Sequence, residues 1–334
     1  MRIAIDAMGG DDAPKVVVEG VEKAAQSFPD TTMVMYGAEE EIKKYLTTDL
    51  DNIEIVHTDE KIEGDDDPVR SIRRKKKASM VLAAKSVKNQ ENDVLFSAGN
   101  TGALLAAGTL IVGRIKGIDR PGLMATMVTI DENSDKMLLL DLGANADTKA
   151  INLNQYAIIG SFYAEHVNKV KNPRVALLNN GTEEGKGNKL TKEAYNLLKD
   201  NEKINFVGNK EAREIFNGIA DVLVMDGFTG NAVLKTMEGT ANTIMSTLKN
   251  AIKSGGLKSK LGALLLKDSL LELSETLDYT KLGGAILLGV RAPVLKTHGS
   301  TDKEAVYQTL KQSRDILISG VVSDTVQYFE NMHE

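Results

Sequence analysis

Five times along the chain a short apolar run ends in a polar residue, turns through a glycine-rich stretch and passes into a helix-forming segment. The turns are Asp6-Ala-Met-Gly-Gly-Asp11, Ser97-Ala-Gly-Asn-Thr-Gly102, Asp141-Leu-Gly-Ala-Asn145, Asn179-Asn-Gly-Thr-Glu-Glu-Gly-Lys-Gly187 and Asp226-Gly-Phe-Thr-Gly-Asn231. Strand, tight loop and helix in repetition imply parallel strands covered by helices on both faces. The pattern predicts strands at Arg2 to Asp6, Thr32 to Tyr36, Ile53 to His57, Val94 to Ser97, Arg174 to Leu178, Ile204 to Val207 and Asp221 to Met225. Pro14 falls in the first turn of a helix to about Ser27, and Thr301 to about Glu330 reads as a closing helix. Met124 to Ile130 and Met137 to Asp141 read as a hairpin instead. Ligands of open α/β sheets bind beyond the carboxyl ends of the strands, so five polar loops at equivalent ends predict one shared cleft.

The stretch Val222 to Lys235 states the expected site chemistry most directly. A helix that begins after a tight glycine turn aims unpaired amides and its positive dipole end at one point, which favours an anion. Gly227 and Gly230 permit close approach, and Thr229 and Asn231 add donors; the same residues also fit a plain βα turn with Asn231 as the N-cap. The rhythm then breaks. Ala232 to Ser254 is one helical pattern, Gly255-Gly256 interrupts it, and Leu257 to about Asp278 is another, giving a helical hairpin over 232–278. Ala232, Leu234, Met237, Ala241, Ile244, Met245, Leu248 and Ile252 form an apolar stem suited to a symmetry mate. At the tip Leu257, Leu261, Leu264 and Leu265 lie beside Lys253, Lys258, Lys260 and Lys267, a composition suited to a membrane surface, or alternatively to burial in a dimer.

Several classes of function are disfavoured. There is no cysteine, which removes disulfides and thiolate chemistry, and the four histidines show no metal-ligand spacing, so no metal site is expected. Neither a Walker A motif nor a full G-x-G-x-x-G occurs, which argues against ATP and dinucleotides. The net charge of -6 argues against bulk nucleic-acid binding. Met1 to Asp6 runs straight into a strand pattern with no basic and apolar leader, and no stretch approaches the roughly 18 apolar residues of a bilayer span, so a cytoplasmic protein that is soluble or lies on a surface is expected. One local exception to the acidic balance is Arg70, Arg73, Arg74, Lys75, Lys76 and Lys77, six cations in eight residues of an expected helix.

Taken in order, Ile5-Asp-Ala-Met-Gly-Gly-Asp11, Ser97-Ala-Gly-Asn-Thr-Gly-Ala103, Asp141-Leu-Gly-Ala-Asn145, Asn180-Gly-Thr-Glu-Glu-Gly-Lys-Gly-Asn188, Asp226-Gly-Phe-Thr-Gly-Asn231, Arg291-Ala-Pro293 and His298-Gly-Ser300 cover essentially the whole chain. In this combination the chain resembles the acyl-carrier-protein:phosphate acyltransferases of bacterial phospholipid synthesis, the PlsX family. The resemblance implies one three-layer α/β/α unit of two lobes over 1–334, mostly parallel, like isocitrate and isopropylmalate dehydrogenases and phosphotransacetylases. It implies a homodimer without nicotinamide or metal that converts acyl-acyl carrier protein and inorganic phosphate to acyl phosphate and free carrier. A membrane acyltransferase would then transfer the acyl group to glycerol 3-phosphate. Phosphate is already an anionic nucleophile, so the site must hold it beside the thioester and stabilise an oxyanion.

The expected catalytic residues are Lys186 and Asn231, with His298 either protonating the leaving thiolate or serving the loop. The expected phosphate and substrate set is Asp6, Gly9, Gly10, Asp11, Ser97, Asn100, Thr101, Gly102, Asp141, Asn145, Gly181, Thr182, Glu183, Gly187, Asp226, Gly227, Thr229 and Gly230, with the aspartates shaping loops rather than binding metal. The basic run either docks the acidic carrier or serves solubility. Two other functions fit less closely: a phosphotransacetylase using acyl coenzyme A, and a membrane-bound scaffold without catalysis.

Overall fold

The computed structural model describes residues 1–131, 134–268, 270 and 283–331; the side chains of Asp131, Ser134, Asp135, Leu257 and Lys260 fall outside that description. The chain runs β1 (Arg2–Asp6), α1 (Lys15–Ser27), β2 (Thr32–Gly37), α2 (Glu39–Lys43), β3 (Ile53–His57), α3 (Pro68–Arg74), α4 (Ser79–Lys88), β4 (Val94–Ser97) and α5 (Thr101–Ala107), the last continuing as a wider helical turn over Gly108–Gly113. Next come β5 (Gly122–Asp131), β6 (Ser134–Leu140), α6 (Ala150–His166), β7 (Arg174–Asn179), α7 (Lys189–Lys199), β8 (Asn205–Glu211), β9 (Val222–Val224), α8 (Gly227–Ser254) and α9 (Gly256–Leu265). The chain then returns to the side of β4 through β10 (Ala285–Leu288), β11 (Val294–Lys296), α10 (Lys303–Ser319) and α11 (Val321–Asn331). Continuous apolar runs make strands buried on both faces, as Ile3, Ala4 and Ile5 of β1 are. Gly20 lets α1 lie directly on α10, where a Cβ would come within 2.6 Å of Val306.

All strands join one sheet of order β3-β2-β1-β4-β11-β10-β5-β6-β9-β7-β8. Only the ladders β11–β10, β10–β5 and β5–β6 are antiparallel. Three reversals in succession leave β6, β9 and β7 pointing opposite to β1, β4 and β11. Contrary to the expectation of one shared cleft, the five glycine-rich loops therefore do not share one edge; two leave one edge of the sheet and three leave the other. On one face a single apolar cluster runs the width of the sheet beneath α1, α6, α10 and α11. On the other the core is split, with Leu287 and Val294 joining α4 and α5, and Ala125, Met127 and Leu139 packing near the start of α8. The division between the two clusters lies over β10 and β5.

Several sequence expectations change. The closing helix is two helices, because Gly320 adopts φ +72° and ends α10. Strands β10 and β11 were not anticipated; at four and three residues they are too short to show a period. α8 starts at Gly227 rather than Ala232, and Asp226, not Asn231, is its N-cap. The first arm of the expected hairpin and the start of the second are helices; residues 269 and 271–278 of the second arm lie outside the described residues. The basic run is helical only to Arg74. Among the described residues no helix is long and apolar enough to cross a membrane.

Candidate active site

Asp141, at the end of β6, is wholly buried and organises the loop that follows. Its Oδ1 accepts from the amides of Leu123, Gly143 and Ala144 at 2.9, 3.1 and 2.9 Å, and its Oδ2 accepts from the Asn145 amide and side chain at 2.9 and 3.0 Å. Asn145 also donates to the Pro121 carbonyl and the Tyr156 hydroxyl. The start of α8 is pressed onto this loop. The Gly227 amide donates to the Asn145 carbonyl at 3.0 Å, and a Cβ on Gly230 would sit 1.9 Å from the Asp141 carbonyl oxygen. Glycine is required there by close approach.

Amides at the start of α8, expected to face an anion, are met from within the protein instead. The Thr229 amide and hydroxyl both donate to Asp226, at 2.9 and 2.7 Å, so the helix already holds a carboxylate at its positive end. Asn231 lies one turn further on, exposed, beside Gly143, whose φ of +123° and missing Cβ leave room for it. Its side-chain amide makes no hydrogen bond among the described residues.

β7 lies next to β9, with Leu177 opposite Val224, so the loop after Asn179 leaves beside the loop that leads to Asn231. Gly181 is buried at its base; Thr182, Glu183 and Lys186 are exposed. Lys186 faces Glu183 across 3.9 Å. Gly187 has φ +97° and packs against Asn179 and Thr191, where a side chain would not fit. One edge thus gathers Asp141, Asn145, Gly181, Thr182, Glu183, Lys186, Gly187, Asp226, Gly227, Thr229, Gly230 and Asn231, and presents one cation and an uncommitted amide to solvent.

The remaining expected residues form a second group at the opposite edge. Buried Asp6 accepts from the Ser79 and Ser97 hydroxyls at 2.6 and 2.7 Å; burial pushes its carboxyl above the usual range, against these bonds and nearby Lys296. A Cβ on Gly9 would fall 2.6 Å from that carboxylate, and the Asp11 amide donates to the Gly299 carbonyl. Gly10 lies at φ +117° over Ala98. Asn100 caps α5 through the Ala103 amide and donates to the Glu63, Gly64 and Asp66 carbonyls, with Thr101 opening the helix and Gly102 clearing Pro68. His298 is exposed and its Nδ1 meets the Ser300 hydroxyl at 2.8 Å. At about 4.8 Å per strand, five spacings put its loop roughly 24 Å across the sheet from that of Lys186. The structure thus sets His298 with the Asp6 and Asn100 loops rather than beside Lys186 and Asn231.

Sequence reasoning missed Lys296. This lysine is only 8% exposed, donates to the Ala98 and Thr297 carbonyls, and is pushed down to about 8 by burial, against Asp11 and Asp6. A lysine ending the apolar run Val294-Leu295 was the available signal. In the basic run Arg70, Arg73 and Arg74 are exposed at helical spacing on α3, Lys75 pairs with Asp66, and Lys76 and Lys77 are exposed in the turn that follows. Among the described residues no cluster of three His, Asp or Glu could hold a metal ion.

Residues 1–324 match the family model described as "Fatty acid synthesis protein". The phosphate acyltransferase of Enterococcus faecalis is 60% identical over 334 residues, covering 100% of both chains, and that of Streptococcus pneumoniae is 59% identical over 328 residues, covering 98% of each. Among solved structures, a phosphotransacetylase from Streptococcus pyogenes superposes with a TM-score of 0.60 at 18% identity, covering 95% of this chain and 94% of that one. The EutD phosphotransacetylase of Staphylococcus aureus gives 0.57 at 16%, covering 94% of both. These two likenesses establish the shared three-layer fold. On the full-length family match and the identity of 59–60%, the chain belongs to the phosphate acyltransferase family of transferases.

Proposed function

We propose that the chain transfers the acyl group of acyl-acyl carrier protein to inorganic phosphate at the edge formed by β6, β9 and β7. The observation that carries this reading is Lys186, on the loop after β7, and Asn231, near the start of the helix after the neighbouring β9, both exposed, within a chain related over its full length to phosphate acyltransferases. A phosphate oxygen attacks the thioester carbonyl carbon, a C–O bond forms, the C–S bond breaks and the electron pair leaves on sulfur, which takes a proton from solvent. Lys186 offsets the phosphate charge and the Asn231 amide donates to the developing oxyanion. Since phosphate is itself the nucleophile, no cofactor or side-chain nucleophile is needed. The test is phosphate-dependent loss of thioester with trapping of acyl phosphate, run with acyl-acyl carrier protein and acyl coenzyme A as donors. Loss of thioester without phosphate dependence would overturn the reaction; preference for coenzyme A would replace the donor.

The acidic carrier is proposed to dock on the exposed face of α3. Arg70, Arg73 and Arg74 share that face, and steering by such a patch raises encounter rate and weakens with salt. Charge reversal at Arg74 and Lys77 is expected to raise the KM for acyl-acyl carrier protein about tenfold at low salt, with little change for acyl coenzyme A, a shift of about 1.4 kcal/mol. An unchanged KM for the carrier removes the patch from docking.

The arm over 232–278 is proposed to serve dimerisation along its stem and membrane contact at its tip. α8 has 28 residues, about 42 Å at 1.5 Å per residue, and only its first turns pack on the core, through Val233, Leu234 and Met237. Beyond them Ile244 is 52% exposed, and at the tip Leu261, Leu264 and Leu265 are 59, 68 and 81% exposed beside exposed Lys253, Lys258 and Lys267. An apolar face of this kind with flanking lysines fits an anionic bilayer surface. There, on the inner face of the cell membrane, a long-chain acyl phosphate meets the membrane acyltransferase that uses it. Leu261→Glu with Leu265→Glu is expected to release the protein from anionic liposomes with the dimer and soluble activity intact; retention on liposomes, or loss of the dimer, refutes the assignment of the tip.

A further inference from the structure

Beneath the turn that carries Lys186 lies a residue with no evident structural reason to be polar. Asn209 on β8 is 3% exposed. Its Nδ2 donates to the Glu183 carbonyl at 2.9 Å, while its Oδ1, fully buried, has no hydrogen-bond partner. A buried acceptor without a partner is costly, and native structures retain few of them. The backbone is distorted to place this side chain. Phe206 is opposite Val175 and Asn209 is opposite Leu177, so β8 holds one extra residue, and Gly208 adopts φ +87°. Such a bulge re-aims the side chain that follows. Asn209 consequently comes to the same side of the sheet as Phe206, three residues earlier, where unbroken alternation would turn it away.

What the bond controls is the direction of the turn's amides. The Glu183 carbonyl also accepts from the Lys186 amide at 3.1 Å, closing the turn, and the Lys186 carbonyl accepts from Asn179 Nδ2 at 3.3 Å. The two peptide links that follow these carbonyls are trans, so each N–H points opposite to its carbonyl. With the Glu183 and Lys186 carbonyls held toward Asn209 and Asn179, the Glu184 and Gly187 amides turn outward, where neither makes a hydrogen bond among the described residues. Two amides without a hydrogen bond among the described residues, in the turn that carries Lys186, are donors of the kind an anion nest uses.

We propose that Asn209 is a positioning residue for phosphate: by holding the Glu183 carbonyl it aims the Glu184 amide, alongside that of Gly187, at the phosphate held by Lys186. This rests on the placement of phosphate at this loop given above. Asn209→Leu keeps the branching and the number of side-chain heavy atoms and removes both the donor and the unpartnered oxygen. It is expected to raise the KM for inorganic phosphate about tenfold, the change in equilibrium produced by losing roughly one hydrogen bond to a charged group. The KM for the acyl donor should stay within about twofold, a shift small against that of one hydrogen bond. Without phosphate the melting temperature should not fall, whereas a merely structural role would lower it. Inorganic phosphate should raise the melting temperature of the parent protein and do so less for the variant. Should Asn209→Leu fail to fold, Asn209→Ala, which removes the donor without adding bulk or charge, carries the same comparison of phosphate KM. An unchanged phosphate KM in the folded variant overturns the inference while Lys186→Ala still raises it; an unchanged phosphate KM in Lys186→Ala removes phosphate from the loop and overturns both.

Discussion

Lys186→Ala and Asn231→Ala are each expected to lower acyl phosphate formation by about 100- to 1,000-fold, the usual loss when one preorganised donor to a developing oxyanion is removed. The fold should not register either change. Lys186 is half exposed and its one ion pair among the described residues, with Glu183, spans 3.9 Å in solvent, a pair of negligible structural worth. The Asn231 amide is exposed at the second turn of α8 and tethered to nothing among the described residues. Loss of rate with an unchanged melting temperature is therefore the signature of a chemical role. The double variant should lose less than the product of the single losses, since both groups serve one transition state. Near-normal turnover in either purified single variant would remove that residue from the chemistry.

The periodic parts of this fold were legible because apolar runs of four to six residues between helical segments have few alternatives. β1, β2, β3 and β4 appear almost where the pattern puts them. Direction was not legible. Each loop after a strand carries the same glycine and asparagine chemistry whichever edge it occupies, and the edge is decided by β10 and β11, seven residues in all, inserted from the far end of the chain. Lys186 and Asn231, singled out by residue type, both come out exposed on the same edge. At the start of α8 a feature invisible in the pattern intervenes: Asp226 takes the Thr229 amide that the sequence offered to a ligand. Asn209 gave no signal at all, because its orientation depends on a bulge that sequence periodicity treats as noise.

Asp141→Ala tests the converse case, a site residue whose contribution is almost wholly structural. The substitution leaves five donors, from Leu123, Gly143, Ala144 and twice from Asn145, without their acceptor at a position with no solvent exposure. Each buried donor left unmade costs about 1–3 kcal/mol, and water entering the vacated space recovers part of it, so the expected loss of stability is about 3–5 kcal/mol. Asp226→Ala removes an N-cap on a helix already anchored by Gly227 and Gly230, and is expected to cost about 1 kcal/mol. The contrast is measurable as the shift in denaturant midpoint at constant slope. Activity should follow the same order for a geometric reason: the Asn145 carbonyl holds the Gly227 amide, and the Asp141 carbonyl lies where Gly230 leaves no Cβ. When the 141–145 loop relaxes, the first turn of α8 moves and carries Asn231 with it. A folded Asp141→Ala protein within about 1 kcal/mol of the parent, the range of an ordinary substitution, would show that the loop does not depend on this carboxylate.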